Sequence, residues 1–272
     1  MKQGKQNNGA LESILDVFSK RRLIFDLSRA DFKKRFVGSY FGLLWIFVQP
    51  VVTILIYYCV FQLALRTTPH DGEFPYVVWL IPGIIPWFYF SEALNHAVRC
   101  LEDYSYLVKK VVFKVSILPL IKIVSCGFVH AIYLLIMLAA LLLLGASPSV
   151  YWLQIVYYSI CMIVLITAIS MFTSAVQVFF KDMSQIVAIV LQLGMWVTPI
   201  MWEYQRAGRF LWILKCNPMY YIVEGYRDSI LYHRGFFTHP VMTLYFWAVT
   251  LVLLVFGTLI FKKCKPHFAD VL

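Results

Sequence analysis

Residues 123–144 read IVSCGFVHAIYLLIMLAALLLL, an aliphatic run without a charged side chain. A helix needs about 20 mostly apolar residues to cross a hydrocarbon core ~30 Å thick, and this stretch is long enough. Its neighbours behave alike. Residues 40–65 carry no charge, residues 76–98 carry only Glu92, and residues 150–180 carry none. Residues 183–202 follow after the pair Lys181-Asp182, and residues 240–261 are the last such run. Six transmembrane helices are expected, in an all-α polytopic membrane protein. Composition agrees: 61% of the 272 residues are hydrophobic and 14% charged, against about 45–50% apolar and about 25% charged in soluble domains.

The formal charge is +10. A nucleic-acid binder needs a solvated basic face on a folded domain, and the apolar runs between the charges leave no room for one. Basic loops at a bilayer explain the excess instead. Of the 24 Lys and Arg, eighteen fall in 1–39, 99–122, Lys181 and the tail after 261, which six spans place on one side. Six fall on the other, and that bias puts both termini in the cytoplasm. The six cysteines show no C-x-x-C pair, so neither a disulfide framework nor a zinc site is expected. The N-terminal stretch MKQGKQNNGALESILDVFSKRR has no apolar core or cleavage pattern, so it does not read as a signal peptide.

Two segments fall outside the spans. Residues 203–239 contain FLWILKCNPMYYIVEGYRDSILYH, which reads as two short helices broken at Asn217-Pro218, because a residue before proline avoids the α region. Neither half can span, so a re-entrant hairpin at the outer leaflet is expected, with Glu224 and Arg227 in a helical pair. In residues 1–39, Leu11, Ile14, Leu15 and Phe18 recur at one helical face, predicting an amphipathic helix on the inner membrane surface. Lys20-Arg21-Arg22 would meet anionic lipid. Asp31 and Arg35 stand at i, i+4 just before the first span.

Chemistry is mostly missing. The chain has no G-x-x-x-x-G-K-[ST], no H-E-x-x-H and no G-x-S-x-G, which argues against a phosphate-binding loop, a metalloprotease or a serine hydrolase. Mid-span charges of the kind coupled carriers use are scarce. Glu92 is the main one, and Lys122 is expected to snorkel to the inner face. Glu92, Asn95, His96 and Arg99 share one face of span two, facing either a pathway or a structural ion-pair partner. Pro82-Gly83-Ile84-Ile85-Pro86 is expected to break that span beside a cavity. Gly38-Ser39-Tyr40-Phe41-Gly42 is a short G-x-x-x-G that permits close helix approach. Aromatics make up 17% of the chain; most belong at membrane interfaces, while Tyr40, Trp45 and Trp196 are candidates for a saccharide path.

Several of these motifs together resemble a known family. Asp31-x-x-x-Arg35-Phe36-x-x-Ser39-x-x-Gly42-x-x-Trp45, Pro82-Gly83-Ile84-Ile85-Pro86-Trp87 and Phe180-Lys181-Asp182 are similar to the permease subunits of ABC exporters for polysaccharides and polyol phosphates. The stretch from Asn217-Pro218 to Tyr232-His233, with Phe268-Ala269-Asp270, looks most like the wall teichoic acid branch. The resemblance implies two permeases with two separate ATPase subunits. ATP and magnesium would be bound by the partner, with no cofactor on this chain. It also implies a polymer on undecaprenyl diphosphate moving from the inner to the outer leaflet. On that basis Tyr40, Trp45 and Trp196 would line the path, and Lys33, Lys34 and Arg35 would meet the diphosphate headgroup. Residues 101–114, with Glu102 and Asp103, would dock into the ATPase. O-antigen or capsular polysaccharide is the alternative cargo. A membrane-embedded glycosyl- or phospho-transferase on the same lipid carrier is the alternative of a different class.

Overall fold

The computed structural model describes residues 20–37, 40–66, 74–109 and 114–272, without the side chains of 205–207. The expected face of Leu11, Ile14, Leu15 and Phe18, and the Gly38 end of the G-x-x-x-G, lie outside the described residues. The described chain is helical, with no strand among its elements. In order they are α1 (Arg21–Phe36), α2 (Trp45–Tyr57), α3 (Tyr76–Val98), the short α4 (Cys100–Asp103) and α5 (Ser105–Val108), α6 (Leu118–Leu143), α7 (Gln154–Phe179), α8 (Met183–Val197), α9 (Leu211–Cys216), α10 (Pro218–Ile230), α11 (Pro240–Cys264) and α12 (Phe268–Val271). A 3₁₀ turn at Gly42–Leu44 precedes α2, and a π-helical stretch, Tyr58–Ala64, prolongs it.

Among the described residues, five helical stretches are long and apolar enough to cross a membrane: Gly42–Ala64, Tyr76–Val98, Val115–Leu143, Val150–Phe179 and Pro240–Val271. The expected sixth, 183–202, is shorter. Thr198 precedes Pro199 and takes an extended ψ of 130°, so α8 stops at Val197 after 15 residues. Even so, α8 runs alongside most of α3. Near its start Ser184 Oγ accepts a hydrogen bond from Arg99, just past the end of α3. Just beyond its end, Pro199 and Ile200 meet an arginine stacked on Trp79, in the first turn of α3.

α3 forms the centre: 78% of its most apolar window is buried, against 11% for the α2 span. α6 and α8 pack along it, α11 packs along α7, and α1 lies against the first half of α6. The α11–α7 approach depends on Gly257, where an added Cβ would stand 2.6 Å from the Ala168 carbonyl oxygen. One large core surrounds α3. A smaller core at the α1 end joins Ile24, Leu101, Ile121, Val178, Phe261 and Phe268, and so ties α4, α5 and α12 to the bundle.

Two local expectations need correction, and a third holds. α3 is not broken; it continues through Pro82 and Pro86. Gly83 instead gives room for a side chain, because a Cβ there would lie 2.6 Å from Arg227 Nη2. Lys122 does not snorkel. It is buried, 2.7 Å from Asp31 and 2.9 Å from Asp103. That neutralisation lets α6 begin at Leu118, earlier than the charge-free run suggested. The break at Asn217-Pro218 is present: Asn217 is extended, and its Oδ1 accepts the Met219 N–H to cap α10.

Candidate functional site

α1 presents Ile24, Ser28, Asp31 and Arg35 along one stripe to the bundle, the spacing of a helical face. The stripe is polar, so it needs partners inside the protein. Ser28 Oγ donates to the Ile121 carbonyl at 3.0 Å. Arg35 reaches across to α3 and α6, with Nη1 2.6 Å from Glu92 Oε1 and Nη2 2.8 Å from Cys126 Sγ. Its Nε lies 3.5 Å from Asp31 Oδ2. Asp31 Oδ1 in turn accepts from Tyr104 Oη at 2.9 Å and from Lys122 at 2.7 Å. A continuous chain therefore runs Glu92, Arg35, Asp31, Lys122, Asp103, linking α1, α3, α4 and α6. Burial pushes the Asp31 carboxyl up, but the Lys122 ammonium and the Ser125 and Tyr104 hydroxyls hold it below its ordinary value.

A second polar cluster ties α4 to the tight turn between α7 and α8. Gln177 Nε2 donates to Glu102 Oε1 at 3.2 Å and to the Lys181 carbonyl at 3.1 Å, while its Oε1 accepts the Ser184 N–H at 2.8 Å. Arg99 completes it through Ser184 Oγ at 3.0 Å. Glu102 and Asp103 thus serve different networks, one toward α7 and one toward α6 and α1.

Beside the first network lies a cavity of about 420 Å³ between α2, α3 and α6. Trp45 and Gln49 of α2, Ser91, Glu92, Asn95 and His96 of α3, and Tyr133 of α6 line it, with Phe36 at its edge. This size and mixed lining suit a small ligand group. The cavity adjoins a broad apolar face, because Trp45, Val48, Val52 and Ile56 of α2 are exposed, as are Ile189, Leu193 and Trp196 of α8. The two helices meet at the far end, where Tyr57 Oη lies 3.7 Å from Met195 Sδ.

The sequence-nominated residues therefore divide. Trp45, Glu92 and His96 share the cavity. Trp196 is exposed on the same side but at the opposite end of the bundle, and Tyr40 is fully exposed beside Phe41. Lys33 and Lys34 are exposed, whereas Arg35 is committed to Glu92. Arg99 leaves the Glu92 face for Ser184. Glu224 and Arg227 form their helical pair at 2.6 Å. Gln177 and Cys126 were not singled out. An amide deep in the charge-free 150–180 run was the available signal for Gln177; nothing local marks Cys126.

Comparison with known proteins bears on this arrangement. The sequence pattern of the family described as ABC-2 type transporter matches residues 22–231. The chain is 27% identical over 252 residues to an O-antigen export system permease protein, RfbA, of Klebsiella pneumoniae, covering 92% of this chain and 95% of that one. An RfbA of Myxococcus xanthus is 27% identical over 266 residues, covering 94% and 98%. The polysialic acid transport protein KpsM of Escherichia coli is 26% identical over 238 residues, covering 85% and 89%.

Proposed function

The chain belongs to the ABC-2 type transporter family as a multi-pass membrane protein, and from that premise we propose that it is the membrane subunit of an ATP-driven polysaccharide exporter. The observation that carries this is the near full-length match to O-antigen export permeases, over 92% and 94% of this chain. The cargo class is O-antigen or capsular polysaccharide. The relatives' printed substrates favour it over wall teichoic acid, the first expectation.

The polymer travels on an undecaprenyl diphosphate carrier, and ATP is hydrolysed by a separate subunit that docks on α4 and α5 through Glu102 and Asp103. α8 is the sixth span, and both termini are cytoplasmic. Support for that span is the match in height between α8 and α3, from Arg99 to Trp79. A second copy of the chain covers the exposed α2–α8 face. The path then runs along that face, with Tyr40 and Trp45 at its entry and Trp196 at its exit. Lys33 and Lys34 are the free headgroup contacts at the entry, while Arg35 holds α1 against the cavity.

Depletion tests the proposal. Cells losing the chain should accumulate lipid-linked polysaccharide on the inner leaflet, and the purified chain should bring down a P-loop ATPase. Normal surface polymer after depletion would refute export. Cysteine labelling that placed the two termini on opposite sides of the membrane would refute the six-span arrangement.

A further inference from the structure

At the end of the bundle away from α1, a second cavity of about 370 Å³ opens between the first turns of α3, α7 and α11 and the hairpin. It shares no lining residue with the cavity beside Trp45. Its volume is within the range of small-molecule sites, roughly 300–1,000 Å³. Tyrosines supply much of the wall. Tyr204 and Tyr220 stand edge to face at 5.8 Å, with Tyr232 beside them. Such rings offer an apolar face together with a hydroxyl.

Glu203, Glu224 and Asp228 also line it, and the last two have basic neighbours. Glu224 is 2.6 Å from Arg227, and Asp228 is 3.5 Å from His239. Lys215 and Arg234 also face the cavity. Fixed charges therefore nearly cancel, leaving a dense set of hydrogen-bond donors and acceptors among aromatic rings. Burial raises the Glu224 and Asp228 carboxyls above their ordinary values, while Arg227 beside Glu224 opposes that shift. Arg227, itself 1% exposed, is clamped between the Trp79 ring at 3.5 Å and the carbonyls of Pro199 and Ile200, each 2.7 Å away. Its partners Trp79 and Glu224, which line the cavity, are thereby held in place.

We propose that this cavity binds an uncharged saccharide unit at the outward end of the protein, separately from the exposed α2–α8 face. Hydroxyls of the sugar would exchange hydrogen bonds with the carboxylates, Lys215 and the tyrosines, and its C–H faces would lie on the rings. An anionic sugar gains no net attraction there and loses hydration on entry. The proposal deepens the polysaccharide-export reading and rests on it for the source of the sugar.

The test uses the full chain with its ATPase partner in lipid nanodiscs, with maltose, N,N′-diacetylchitobiose and N-acetylneuraminic acid as probes in calorimetric titration. Saturable binding of at least one of the two neutral disaccharides is expected. Asp228→Asn and Glu203→Gln should each weaken it at least tenfold, and Met242→Trp, which fills the cavity from α11, should abolish it. Leu251→Ala, on the exposed side of α11, should leave it unchanged. Lys215→Met, at an exposed position, should weaken it severalfold and serves if a carboxylate variant fails to fold. Absence of binding by both disaccharides, binding that survives Met242→Trp, or tighter binding of N-acetylneuraminic acid would overturn the site. Absent binding alongside polymer trapped on depletion refutes the cavity alone; binding alongside normal export refutes the export reading instead.

Discussion

Arg227 shows how much one buried residue can decide. Its guanidinium stacks on Trp79, pairs with Glu224 and donates to two carbonyls just beyond α8. Only a planar fork satisfies those partners together, so lysine is not an equivalent. Arg227→Met strands Glu224 beside the carbonyls, and breaking a buried pair costs about 3–5 kcal/mol. We expect a large fall in thermal midpoint for Arg227→Met and little rescue by Arg227→Lys; an unchanged midpoint would show the clamp to be dispensable. Asp31 carries a pH dependence of definite sign. Its folded pKa lies below the unfolded value, so its contribution is present above about pH 4. It fades as pH falls through the folded value. Asp31→Asn should lower stability at pH 7 and flatten the acid limb of a stability–pH curve, while a parallel shift of the whole curve would exclude this origin.

Among the elements, α11 and α8 are set by single residues. Gly257 brings α11 within backbone distance of α7, and Gly257→Ala forces a Cβ to 2.6 Å from the Ala168 oxygen. Overpacking of that kind costs about 1–3 kcal/mol, readable as a lower midpoint, whereas Gly145→Ala, where a Cβ meets nothing within 4 Å but φ is +89°, tests backbone strain alone. α8 ends where Pro199 forces Thr198 into extended backbone. Pro199→Ala removes that constraint and should displace the carbonyls that hold Arg227. We expect weakened protease resistance of the 203–239 hairpin, and unaltered cleavage would mean that other contacts set the end of α8. The proline pair in α3 shows the converse. Pro82 and Pro86 looked like a break, yet tertiary contacts on a helix 78% buried in its most apolar window keep it continuous.

For the whole molecule, the Glu92–Arg35–Asp31–Lys122–Asp103 chain is the physical link between the helix at the entry and the segment proposed to dock the ATPase. Reversing one charge breaks it; exchanging both should mend part of it. Arg35→Glu and Glu92→Arg alone are expected to abolish polymer export, and the double exchange to restore a measurable fraction, with coupling of roughly 0.5–3 kcal/mol in a stability cycle. Additive effects would mean that the pair acts independently. Charge reversal at Glu102 and Asp103 should uncouple ATP hydrolysis from export in complexes that still assemble, and retained export would remove those residues from the coupling role.

The helical class and the placement of most spans were legible in the sequence, because uncharged runs of bilayer length have few alternatives in which the backbone is satisfied. So was the break at Asn217-Pro218, since proline restricts the residue before it. The sequence also nominated Glu92 with Arg99, Asp31 with Arg35 and Glu224 with Arg227, each pair as neighbours within its own segment. Their partners lie tens of residues away: Cys126 and Lys122 for α1, Ser184 for Arg99, Trp79 for Arg227. Helical periodicity tells which side chains share a face, and it carries no information about which face of another helix will meet them. That choice depends on how distant helices pack, so the ionic chain, the Arg227 clamp and both cavities were decided by the tertiary structure.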